Sequence, residues 1–285
     1  MKVFKIKQKE FTAFLSKGYP GVKEISDVKY FHAGEYISMI QKKGRFTDER
    51  HIKLAVGTAN KYLKDFRSVF TKLKRDAGID ENPFADIPLQ TKDVVERDAF
   101  TVEVLSLIGE KANPFIYYIF ITGLNTGYRE GDICTLRWSE VDFDKNQIHR
   151  VMLKTGKKVH VPILSHLREF LKEKHSANGS HEFVSPEHAE IYLRNPTTIT
   201  ARVRVFLNGI GIHTHIKVPN RTRMQSMKNV HSLRHAFVYL GMLENVPLHI
   251  IKSIVGHFDE RMTMMYANHA TAKIAQEKMA NIRIL

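Results

Sequence analysis

At 285 residues with 43% hydrophobic side chains, the chain is too long for one small core and suits two domains. No run approaches the roughly 18 apolar residues of a membrane span, "MKVFKIKQKEF" lacks the apolar core and cleavage site of a signal peptide, and a single cysteine, Cys134, excludes a disulfide framework or a multi-cysteine zinc site, so a cytoplasmic location is expected. The 44 Lys+Arg against 30 Asp+Glu give a formal charge of +14, shared by both halves, which favours a polyanionic partner, nucleic acid before anionic membrane.

In chain order, Glu10 to Lys17 and Val28 to Lys42 have helical periodicity. Residues 58–77, "TANKYLKDFRSVFTKLKRDA", place Tyr62, Leu63, Phe66, Val69, Phe70 and Leu73 on one helical face, with Lys61, Lys64, Lys72 and Arg75 largely on the other. Thr58 is the expected N-cap and Gly78 the expected stop, before the helix-breaking "IDENPFADIP". These elements predict an all-helical domain over residues 1–90 whose basic face either meets a polyanion or is simply solvated. Residues 91–98 lack apolar periodicity and read as a linker, leaving 99–285 as a second domain.

That second domain begins with a helix capped by Thr101, followed by the apolar "PFIYYIFITGL", a buried helix. "NQIHRVMLK" and "KKVHVPIL" flank "TG" in the manner of a β-hairpin. From Ser165 the pattern is helical again except for an irregular basic stretch, "HTHIKVPNRTRMQSMKN". The expected class is mainly α with a small antiparallel β-sheet in the second domain.

Chemistry-bearing residues lie at intervals along this domain. Arg129, in "TGYREGDICTLRW", follows a Thr-Gly turn at a helix start, where it is either a surface arginine or a bidentate phosphate ligand. Lys154 sits where a strand meets a tight turn, either solvated or presented from a fixed scaffold. In "VHSLRHAFVYL", His231 and Arg234 are three apart and share a helical face, Leu233, Phe237 and Leu240 suit the buried one, and His235 reads as structural. His257 follows a glycine, and Tyr266 stands nine residues on, behind Met262, Met264 and Met265, as core filler or as a nucleophile. No P-loop, HExxH or two-metal carboxylate cluster is present, and "HTH" at 213–215 lacks the partner ligands of a zinc site, so neither metal nor other cofactor is expected.

In this order, Arg, Lys, His-x-x-Arg, Gly-His and Tyr resemble the active-site set of the tyrosine recombinases, the phage integrase family, over residues 100 to 270, and the basic helical first domain resembles that family's core-binding domain. The departures are Val255 where leucine is commoner before Gly-His and Asp132 where glutamate is commoner after the first arginine. The resemblance implies a two-domain clamp on double-stranded DNA and a site-specific recombinase that cuts and rejoins strands through a 3′-phosphotyrosyl intermediate. It makes Tyr266 the nucleophile, Arg129 and Arg234 the ligands of the nonbridging oxygens, and Lys154 the general acid. His231 then assists proton transfer, and His257 donates to the phosphate. Lys61, Lys64, Lys72 and Arg75 are the expected DNA contacts of the first domain, and the family's homotetramer on paired sites is the expected assembly.

The C-terminal stripe of Ile274, Met279 and Ile282 docks either on its own domain or on a neighbouring protomer. Fewer than about ten residues precede the first predicted helix, so no arm-binding domain is expected. Alternative readings are a type IB topoisomerase-like relaxing enzyme and a catalytically silent DNA-binding protein of the same fold.

Overall fold

Aromatic side chains at helical spacing organise the start of the chain. The computed structural model describes residues 2–50, 52–91, 100–218 and 224–256, which fall into two compact units: residues 1–95 with 218–223, and residues 96–217 with 224–285. Among the described residues no helix is long and apolar enough to cross a membrane.

The first unit is built on α1 (Lys2–Gly18), α2 (Tyr30–Lys43) and α3 (Val56–Leu73). Phe11 and Phe14 of α1, Tyr36 of α2, Tyr62, Phe66 and Phe70 of α3, and Phe84 beyond it are buried together. Ring pairs such as Phe11 on Tyr36 at 4.8 Å and Phe11 on Phe66 at 5.0 Å join the three helices, each buried ring contributing about 1.5–3 kcal/mol. The aromatic face expected of α3 is therefore the buried one, except that Val69 is half-buried and Leu73, at its end, is exposed.

α1 begins much earlier than its sequence pattern indicated, at Lys2. α3 likewise starts before Thr58, with Ala55 at the N-cap position and no side-chain cap. Tertiary anchoring explains the longer α3: Ala59 and Asn60 are already buried, and Asn60 exchanges hydrogen bonds with the backbone of Gln90 at 2.8 and 3.0 Å. The α-helix ends at Leu73, and the turns that follow close at Gly78, whose φ is +59°. Arg67 then pins the returning segment, donating to the carbonyls of Phe84 at 3.0 Å and Ile87 at 2.6 Å. Of the expected linker, residues 92–98 lie outside the described residues.

The second unit centres on α5 (Pro114–Thr126), which is apolar nearly all round and correspondingly buried. Asn113 caps it, accepting from Ile116 N at 3.0 Å, and Pro114 occupies the first turn, where its missing N–H costs nothing. α4 (Val102–Lys111) precedes it, capped as expected by Thr101. After α6 (Glu130–Cys134) comes an antiparallel sheet of β1 (Val141–Asp142), β2 (Gln147–Val151) and β3 (Lys158–Pro162) in that order. Ile148 pairs with Val161 and Arg150 with Val159, so alternate residues of β2 and β3 face the core.

Then follow α7 (Ser165–Asn178), α8 (Pro186–Arg194), α9 (Thr197–Gly209), α10 (Val230–Leu243) and α11 (Leu248–Val255). The basic stretch expected to be irregular contains two short paired strands, β4 (His215–Ile216) and β5 (Gln225–Ser226), too short to leave a period-2 pattern. On α10 the expectation of one buried and one polar face is corrected: Leu233 is buried, but so are Arg234 and His235, while Phe237 and Leu240 are half-buried.

Candidate active site

Gly127 makes the turn that aims Arg129. Its φ of +64° ends α5, and a side chain there would also press on Phe237 and Val255, so the position takes glycine on two counts. Tyr128 is buried next, and Arg129 follows in an extended conformation at the N-cap of α6. Arg129 is half-buried, and its Nη1 is a buried donor with no hydrogen-bond partner among the described residues. A charged donor left in this state is costly unless an acceptor arrives, and a phosphate oxygen is an acceptor of the right charge.

Lys154 projects from the tight turn between β2 and β3. Met152 N donates to Lys157 O at 2.9 Å, Gly156 N donates to Met152 O at 2.8 Å, and the lysine side chain is exposed. The turn is tied to α6, because Leu153 N donates to Asp132 Oδ1 at 2.9 Å. Asp132 is itself buried and held by Arg150, whose Nε lies 3.4 Å from the same oxygen. Arg150 also donates to Glu140 Oε2 at 2.5 Å, Thr135 O at 2.9 Å and Thr135 Oγ1 at 2.7 Å, which compensates for burying its charge. One carboxylate thus fixes the arginine-bearing helix start against the lysine-bearing turn.

His231 enters from α10. Asn229 caps that helix, accepting from His231 N at 2.9 Å, while Asn229 N donates to Ser232 Oγ at 3.0 Å. The half-buried His231 ring meets the ring of the buried His235 edge-on at 4.7 Å. Arg129, Lys154 and His231 all line one cleft of about 610 Å³, together with Glu130, Tyr192 and Thr200. Thr200 Oγ1 donates to Glu130 Oε2 at 2.7 Å, and burial holds the Glu130 carboxyl above the usual carboxylate range.

Arg234 is not among the described residues that line the cleft. It is 1% exposed, and its guanidinium donates to Gly127 O at 2.8 Å and to Val255 O. It therefore joins the Arg129 turn to the end of α11, where Gly256, at φ +65°, leads into His257. His257, Tyr266, the three methionines and the C-terminal stripe lie outside the described residues. Lys61, Lys64, Lys72 and Arg75 are exposed on and just after α3 of the first unit, Lys61 with Asp65 at 3.3 Å.

Asp132, Arg150, Asn229 and Tyr192 were not singled out as site residues from the sequence. In the sequence Asp132 is only a departure from glutamate, whereas Arg150 has a legible signal in sharing its parity with the core residues Ile148 and Met152. Nothing local marked Tyr192.

The model of the phage integrase family matches residues 110–273. The tyrosine recombinase XerC of Bacillus pumilus is 23% identical over 291 residues, covering 95% of this chain and 86% of the relative. Among solved structures, the Tn1549 transposon integrase in complex with circular intermediate DNA aligns with a TM-score of 0.68 at 19% identity, covering 98% of this chain and 94% of that one. A lambda integrase dimer bound to a core site aligns at 0.67 and 16% identity, covering 94% and 88%. With more than half of its length matched by the family model, and with the fold shared along nearly all of it, the chain belongs to the phage integrase family, the tyrosine recombinases.

Proposed function

We propose that this tyrosine recombinase, a site-specific DNA strand transferase, uses Tyr266 to attack a DNA phosphodiester, forming a 3′-phosphotyrosyl link and releasing a 5′-hydroxyl. The observation that carries this assignment of roles is the convergence of Arg129, Lys154 and His231, from three separate segments, on one cleft. Arg129 and Arg234 stabilise the extra charge on the nonbridging oxygens, as planar guanidinium groups that stay charged at any physiological pH. Lys154, exposed on its turn, protonates the departing 5′-oxygen. His231 moves the proton to or from the tyrosine, whose free pKa near ~10 calls for such help, and His257 donates to the phosphate. The covalent link conserves the phosphodiester energy, so rejoining to another 5′-hydroxyl needs no nucleotide cofactor.

Residues 1–90 act as the core-binding domain, with Lys61, Lys64, Lys72 and Arg75 on backbone phosphates, and residues 99–285 as the catalytic domain, the two clamping the duplex. Exchange between two sites takes four protomers, and the reading is of a homotetramer on paired sites.

A nicked suicide substrate tests the chemistry: an SDS-stable protein–DNA adduct forms with the native protein and is lost in Tyr266→Phe. A substrate with two target sites then yields recombinant product, and relaxation of supercoils without recombinants would replace the recombinase with a topoisomerase. Absence of an adduct on a bound cognate site would leave a DNA-binding protein.

A further inference from the structure

Among the residues that line the cleft is a tyrosine, Tyr192. Tyr192 of α8 is half-buried beside Gly131, two residues after Arg129. A β-carbon at Gly131 would meet the Tyr192 hydroxyl oxygen and lie 2.7 Å from Cζ, so the phenol tip occupies the space that a side chain on α6 would otherwise fill. Its neighbours leave it no competing task. The Glu130 carboxyl is engaged by Thr200, Asp132 is engaged by Leu153 N and Arg150, and the Tyr192 hydroxyl makes no hydrogen bond among the described residues. Burial, and then the carboxylates of Glu130 and Asp132, push its pKa up, so this phenol keeps its proton and is a donor rather than a nucleophile.

We propose that the Tyr192 hydroxyl donates a hydrogen bond to a nonbridging oxygen of the DNA phosphate held in the cleft, adding a neutral donor beside Arg129 that Gly131 makes room for. The proposal rests on the recombinase reading above. A neutral donor suits the position: it stabilises developing negative charge without drawing the adjacent Glu130 into an ion pair. Gly131 has a role for the same reason, since a methyl group there displaces the phenol tip from α6.

The test is single-turnover cleavage of a nicked suicide substrate by the full chain, with an ordinary phosphate or with either stereoisomer of a methylphosphonate at the scissile position. Tyr192→Phe is expected to cleave the ordinary phosphate about 10-fold more slowly, the size of effect typical of one hydrogen bond to a charged group, with DNA affinity within about twofold. On the isomer lacking the oxygen that Tyr192 grips, the variant and native rates converge; on the other, the deficit persists. Gly131→Ala is expected to show the same isomer-selective deficit, which covers the case of a poorly folding Tyr192→Phe. Native rates in both variants, or deficits equal on both isomers, overturn the proposal. An adduct that still depends on Tyr266 would in that event leave the recombinase reading intact, whereas no adduct with native protein would remove the reading and the proposal together.

Discussion

Arg234 Nη1 donates to Gly127 O at 2.8 Å across 107 residues of chain, and the same guanidinium holds Val255 O. A charge 1% exposed is tolerated in part because these two backbone carbonyls accept from it, and they in turn depend on it. Arg234→Ala leaves these carbonyls without a buried donor and opens a cavity, so unfolding by denaturant should show a loss of about 3 kcal/mol. Arg234→Lys keeps the charge but has no fork to span both carbonyls, and it should lose cleavage on a suicide substrate more completely than it loses stability. Lys restoring both would mean the fork geometry is immaterial.

Asp132 links the two halves of the cleft through Leu153 N, while Arg150 fixes its other side. Asp132→Asn weakens both contacts, placing an N–H or a neutral oxygen where a carboxylate stood. Stability should fall by about 2 kcal/mol, read as a shift in the denaturant midpoint. Cleavage should fall further than DNA affinity does, because Lys154 stays present but is no longer held by its turn. A variant with native cleavage would show that the hairpin is placed without Asp132.

The general-acid role of Lys154 has a separate chemical signature. Replacing the bridging 5′-oxygen with sulfur gives a leaving group that departs without protonation. Lys154→Ala should therefore cleave an ordinary substrate at least about 100-fold more slowly than the native chain, yet cleave the 5′-phosphorothiolate at a similar rate. A deficit of equal size on both substrates would make the lysine a charge for binding and not a proton donor.

These relationships also indicate what was legible beforehand. The aromatic face of α3, the caps at Thr101 and the hairpin around Gly156 were readable because period, cap chemistry and turn chemistry are local. The positions of Arg129, Lys154 and His231 in one cleft followed the order of motifs, although their spacing along the chain contains no distance. The burial of Arg234 had no local sign. Arginine reads as a surface residue, and carbonyls 107 and 21 residues away help to make its burial possible. Asp132 looked like a harmless shortening of glutamate until the Leu153 N–H it accepts from was placed. Thr58 looked like a cap, but the Asn60–Gln90 contact, made across the fold, carries α3 past it.

His188 of α8 gives the second unit a predictable acid sensitivity. Its Nε2 lies 3.0 Å from Phe115 O and its Nδ1 2.6 Å from Ser185 Oγ, which fits a neutral ring donating to the carbonyl and accepting from the hydroxyl. Burial is the main cause that brings its pKa down to about 4. Unfolded chains bind that proton near pH 6.5, so its contribution is full above that value and is lost as pH falls from about 6.5 towards 4, by up to about 3 kcal/mol. Denaturant unfolding of the native chain and His188→Gln across this window should show a flatter pH dependence in the variant. Parallel curves would place the sensitivity elsewhere.

The basic face of the first unit divides into two kinds of cation. Lys61 lies 3.3 Å from Asp65, whose other oxygen takes the buried Lys7 at 2.6 Å, so part of its charge is already answered within the protein. Lys64, Lys72 and Arg75 are exposed with no ion pair among the described residues. If these three meet backbone phosphates, each releases a counterion on binding and steepens the salt dependence by about 0.9 in the log–log slope. The triple substitution to alanine should therefore flatten the slope by about 2 to 3 and weaken binding to cognate and unrelated duplexes alike, because phosphates carry no sequence. Lys61→Ala should flatten it by less than about 0.9. Titration of a labelled duplex between low and moderate salt measures both, and an unchanged slope in the triple variant would make this face a solvated surface and move the DNA contacts of the first unit to another side of it.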